Sequence, residues 1–139
     1  MTTRLVSGLL LSTLLLATAP IAGAHHSVAG QFDVHKTLTL SGVVSKVDWV
    51  NPHINIFVDV KNVPGNVAKD EAWKFQSNPP AWFRRVGVSR ADFAKAIGQT
   101  ITIEGNRAKD GSLFGYMLKV TFADGNFLEL VAAQPAGNP

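Results

Sequence analysis

Residues 36–60, KTLTLSGVVSKVDWVNPHINIFVDV, decide how this chain folds. Leu38 and Leu40 share one face, Ser41-Gly42 intervenes, and Val43, Val47 and Trp49 resume with the opposite parity. Successive side chains of a strand point to opposite faces, so a parity switch at a glycine predicts one extra residue there, a β-bulge that bends the strand. Asn51-Pro52-His53 then reads as a turn. Ile54, Ile56, Val58 and Val60 alternate with His53, Asn55, Phe57 and Asp59 as a second strand.

Downstream, Lys61 to Asp70 is a loop around Pro64-Gly65, and Glu71 to Ser77 is a third strand carrying Trp73 and Phe75. Pro79-Pro80 opens a helical turn that stops near Gly87. Ser89-x-x-Asp92 has the spacing of a capping arrangement, and Phe93, Ala94 and Ile97 line one face of a helix predicted over at least Arg90 to Ala96. Gln99 to Ala108 turns through Asp110-Gly111 into Leu113 to Phe122, with Tyr116, Leu118, Val120 and Phe122 on one face. Asp124-Gly125 leads to a last strand, Asn126 to Val131.

The order β-β-β-α-β-β plus a terminal strand predicts a mainly β protein, a small OB-fold-like barrel with its helix between strands three and four. An open six-stranded sheet with a packed helix is the alternative. The expected core is Leu40, Val47, Ile54, Ile56, Val58, Ile101, Ile103, Leu118 and Val120. Residues 25–35 are expected to form an N-terminal arm, 36–131 the barrel and 132–139 a frayed tail.

Upstream lies a different pattern. Arg4 is followed by an apolar run, Leu5 to Ala17, too short for the about 20 residues that cross a bilayer. Pro20 breaks it, and Ala22-Gly23-Ala24 supplies the small residues of a signal-peptidase site. Residues 1–24 therefore read as a signal peptide cut after Ala24, and the product as a periplasmic protein with no membrane insertion after processing. A retained anchor is the alternative. The remaining 139 − 24 = 115 residues are enough for one domain. The chain has no cysteine, which excludes disulfides, thiolate metal sites and Cys-x-x-Cys-His haem attachment. Without Arg4 there are 13 − 1 = 12 basic and 10 acidic side chains, a net charge of +2. That is too balanced to point to nucleic acid as a partner.

The four histidines, His25, His26, His35 and His53, all fall near the start of the processed chain. No nucleophile elbow, phosphate loop, zinc-protease motif or dinucleotide fingerprint is present, so no catalytic constellation is identified. The cut itself creates the strongest feature. His25 would carry a free α-amino group and an imidazole, and the two can chelate one metal ion. A third imidazole completes a T-shaped set of three nitrogens, the histidine brace, and such nitrogen-rich tetragonal sites favour Cu(II). His26 offers a second mode through the amino terminus, the intervening amide and its own ring. His35 and His53 are the candidate third ligands. The ten-residue arm before His35 could carry His25 to either, and His53, on the strand 1–2 loop, is preferred.

Ligand sites of such barrels lie near the strand 1–2 and 4–5 loops, which singles out Trp49, Asn51 and Arg107. The expected function is a periplasmic binding module with copper as its candidate cofactor. The alternative is a metal-free OB-like interaction module for a small molecule, glycan or envelope protein. An enzyme using the brace for oxygen chemistry ranks third.

Ala24-His25-His26-Ser27, Phe32-Asp33, Gly42-x-Val44 and Trp49-x-Asn51-Pro52-His53, with Trp73 and Arg85-x-Gly87, resemble a family of exported Gram-negative bacterial proteins defined by a domain of unknown function. The resemblance spans nearly all of the processed chain, and Trp-x-Asn-Pro-His is its most specific block. It implies export and a small β-rich domain, and brings no activity or cofactor.

Overall fold

The long first strand organises everything else. In a computed structural model, which describes residues 28–61 and 70–130, the elements run α1 (Val28–Gln31), β1 (Phe32–Asp48), β2 (Asn55–Val60), β3 (Glu71–Gln76), α2 (Pro80–Arg85), α3 (Arg90–Lys95), β4 (Thr100–Ala108), β5 (Phe114–Thr121) and β6 (Phe127–Glu129). The proposed signal peptide, His25, His26 and the tail 132–139 lie outside the described residues, as does most of the loop between β2 and β3.

β1 does change parity, but at Ser45 rather than at Gly42. Leu40, Gly42 and Val44 all face inward, whereas Val43, expected on the inner face, is 38% exposed. The register of β1 against β2 slips between Val44 and Lys46, so Ser45 is the extra residue. Gly42 answers a different need. A Cβ there would lie 2.5 Å from the Asp59 carbonyl oxygen and 2.7 Å from Val58 Cγ1, so only glycine lets β1 and β2 approach. Past the bulge, Val47 is half-buried and packs on the core from its margin instead of filling it.

β5 hides a second bulge. Met117 and Val120 are fully buried and three residues apart, which strict alternation forbids. The register against β4 slips where Gly105 opposes Met117 and Glu104 opposes Lys119, leaving Leu118 as the extra residue. Leu118 is therefore half-buried, and Met117 takes the core position expected of it. The other expected core residues, Leu40, Ile54, Ile56, Val58, Ile101, Ile103 and Val120, are buried as anticipated.

The sheet order is β3-β2-β1-β4-β5-β6, and a parallel β3–β5 pairing closes the first five strands into a ring. Asp48, Asn55, Gln76, Tyr116, Asn106 and Thr37 are cross-strand neighbours in turn. A path around the ring thus returns to β1 eleven residues earlier, 48 − 37 = 11. Such a stagger is what closing a sheet on itself demands. The ring, not the open sheet, is the architecture, and its connectivity is the β-β-β-α-β-β order expected from the sequence.

The helices close one end of the ring. Phe83 of α2 and Phe93 of α3 meet edge to face at 5.2 Å, and the Trp49 ring packs against both, at 5.4 and 5.5 Å. At the start of α3 the Asp92 carboxylate accepts hydrogen bonds from Ser89 N at 3.0 Å and Ser89 Oγ at 2.7 Å. These bonds, joined by Lys95, lower the Asp92 pKa from 3.8 to about 2. A depressed carboxylate pKa favours the folded state above the unfolded value and loses that contribution as pH falls through the folded one. Asp92→Asn should therefore lower the Tm at pH 6, and the gap to the parent should close between about pH 4 and pH 2. A gap unchanged at pH 2 would show that the carboxylate charge is irrelevant to this cap.

Candidate functional site

The described residues just upstream of β1, 28–31, are tied to the β4–β5 hairpin. Lys109 Nζ donates to the Ala29 carbonyl at 2.6 Å, and the Lys109 backbone N donates to the Gln31 carbonyl at 3.0 Å. Phe32 is buried, pairs with Ala108, and packs on Phe114 and Tyr116 at 5.1 and 5.6 Å between ring centroids. Residues 28–35, expected within the arm, thus form α1 and the first residues of β1, because Phe32 supplies an anchor on the β4–β5 hairpin. Only residues 25–27 separate a processed terminus from Val28, and three residues span at most about 10 Å. The ten-residue tether behind the preference for His53 is not available.

The two described histidines differ. His35 is exposed near the start of β1, and its backbone N donates to Asp33 Oδ1 at 3.2 Å. His53 is half-buried beyond the end of β1, with Nδ1 3.1 Å from the Ser77 carbonyl oxygen. A carbonyl only accepts, so in the neutral ring Nδ1 carries the proton and Nε2 keeps its lone pair. Metal-ligating histidines are commonly oriented by such a bond. Among the described residues, no three His, Asp or Glu side chains converge on a common point where a metal could sit.

Trp49, Asn51 and Arg107 are not brought together. Trp49 packs into the helix-capped end of the core, and Asn51 is exposed in the turn, where the Asn51-Pro52 peptide is cis. Arg107 lies beside the start of β1, at its other end. Its Nε donates to the Ser112 carbonyl at 3.2 Å and its Nη2 to the Gly111 carbonyl at 2.6 Å. Its guanidinium carbon lies 5.2 Å from the centre of the Trp73 ring.

Two grooves mark the described surface. One, of about 570 Å³, runs between α3 and the β5–β6 hairpin over Val88, Phe122 and Leu128, with Phe127 56% exposed at its side. The other, of about 630 Å³, opens at the end of the ring beside the β4–β5 hairpin and includes Lys36, Leu38, Trp73, Arg107 and Lys109. Lys36 and Trp73 were not expected as site residues. Trp73 alternates with Phe75 as an ordinary core residue does, and only ring closure places it at an open end.

Over residues 13–117 the chain matches the model of a family of unknown function, DUF6152. The chain belongs to this family. The DUF6152 match takes in all four histidines, β1 through β4, both helices that cap the ring, and Arg107. No curated relative and no solved structure matches the chain. Among the described residues, no helix is long and apolar enough to cross a membrane.

Proposed function

We propose that this DUF6152 chain is a periplasmic binding module of Gram-negative bacteria, exported by residues 1–24, and that it takes up Cu(II) through His25 at its processed N-terminus. The observation that carries this reading is the docking of residues 28–32 on the β4–β5 hairpin. It leaves His25 three residues from a fixed framework, so a chelate formed there loses less conformational entropy than one on a free arm. The α-amino group and ring of His25 supply two nitrogens, with His26 beside them. Position favours His35 as the third ligand, since it lies at the same end of β1. His53, hydrogen-bonded to the Ser77 carbonyl, lies beyond the opposite end of β1 from residues 28–32, so a three-residue tether does not favour it.

Copper titration of the processed protein tests the proposal. One Cu(II) should bind at least about tenfold more tightly than to the same chain with one residue added before His25, a difference of about 1.4 kcal/mol. The extension keeps every side chain and moves only the α-amino group. Affinity should fall below about pH 6, because a free amine and an imidazole ordinarily take up protons below about 8 and 6.5. His35→Ala and His53→Ala identify the third ligand by which of them weakens binding. Equal affinity for native and extended chains would overturn the copper reading.

The second groove favours a metal-free module as the competing reading, since it offers a cavity and cations to a ligand without copper.

A further inference from the structure

We propose that the open end of the ring beside the β4–β5 hairpin binds a small amphiphilic carboxylate, an alkyl or aryl body bearing a single negative charge. The mouths of β-barrels are common ligand sites, and this groove, at about 630 Å³, lies within the usual size range for small molecules.

The lining divides by chemistry. Leu38, Leu40 and Trp73 face inward and form an apolar floor, where Leu40 retains 8% exposure and Trp73 stacks on the buried Phe75 at 5.6 Å. Lys36, Arg107 and Lys109 stand on the rim against one carboxylate, Asp33. Arg107 is held in place by two hairpin carbonyls, with its charge over the Trp73 ring. A guanidinium has five N–H donors, so three remain free for a ligand oxygen. Exposed cations by themselves bind anions weakly. Here a fixed guanidinium borders an apolar floor, so a ligand's body sheds water while its charge meets donors that need little ordering.

The surrounding charges argue for a monoanion. Glu71 accepts a hydrogen bond from Trp73 Nε1 at 2.9 Å, and Asp110 binds Ser112 within the hairpin turn. Among the described residues, these two and Asp33 match the three cations in number, which leaves no large positive field for a polyanion there. Lys36, 3.9 Å from Asp33 and 85% exposed, is the cation most free to swing toward a ligand.

The test uses the processed full chain and dodecanoate below its micellar range, followed by calorimetry. Saturable binding of one dodecanoate is expected, with none for acetate or dodecanol at equal concentration. Arg107→Gln should weaken it at least tenfold and Lys36→Gln severalfold. Phe127→Ala, in the other groove, should leave it unchanged, and the titrations are run without copper, so failure of the copper reading and failure of this one are separable. If Arg107→Gln does not fold, the exposed Lys36→Gln decides. Absence of saturable binding, equal binding of dodecanol, parent-like affinity in Lys36→Gln, or loss of binding in Phe127→Ala would each overturn the proposal.

Discussion

Phe75→Ala is expected to cost the fold about 4–5 kcal/mol, the upper end of the range for deleting a buried aromatic side chain. The cost of such a deletion depends on whether neighbours can move into the space, and on one side of Phe75 there are no side chains to do so. Phe75 is fully buried on β3, where it pairs with Ile56 of β2 and Gly115 of β5, and its ring lies against Gly115 and against Gly105 of β4. A Cβ placed on Gly115 would lie 2.6 Å from Phe75 Cε1, and one on Gly105 would lie 3.4 Å from the same atom. With no side chains at those positions to collapse inward, the cavity stays open on that side. Urea denaturation should show a lower midpoint with an unchanged slope. The complementary change, Gly115→Ala, should destabilise by overpacking, about 1–3 kcal/mol. Combining Gly115→Ala with Phe75→Leu should cost less than the sum of the two, since each relieves the other. A Phe75→Ala cost below about 1 kcal/mol would mean that the ring is not packed as described.

Gly42→Ala should be nearly as damaging, about 3 kcal/mol, at the top of the range for an added methyl group in a packed site. The atom that the new Cβ would strike is the Asp59 carbonyl oxygen, a backbone atom of β2 that cannot rotate away. Val43 pairs with Asp59 in the next position of the ladder, so separating the strands breaks hydrogen bonds as well. Gly87→Ala provides the contrast. Gly87 has φ 78°, and an added methyl group would meet nothing within 4 Å, so its penalty is conformational only, about 1–2 kcal/mol. If Gly42 were the bulge, as its place in the sequence first implies, alanine there would be tolerated better than at Gly87. Equilibrium unfolding of the two variants side by side distinguishes close packing from a bulge at that position.

Local physics made much of this protein legible from its residues. The two-residue period of Ile54, Ile56 and Val58 identifies β2 because one face must be dry and the other wet. Asp110-Gly111 announces the β4–β5 turn because the conformation needs φ > 0, and Gly111 has φ 80°. Ser89 and Asp92 mark the start of α3 because a helix leaves its first N–H groups unpaired. Even the element order, and hence the mainly β class, follows from such short-range signals.

Long-range pairing decided the rest. A bulge belongs to two strands at once, so neither β1 nor β5 by itself shows that Ser45 and Leu118 are the extra residues. Whether the sheet stays open or closes depends on β3 meeting β5 in parallel, a contact with no local trace. The same closure puts Trp73 and Arg107 at one end of the ring, away from Trp49 and His53, and docks Phe32 where a free arm was expected. A sequence specifies which side chains prefer to be buried or turned. Which of them meet across tens of residues of chain is set by register and closure, and these exist only once the whole ring has formed.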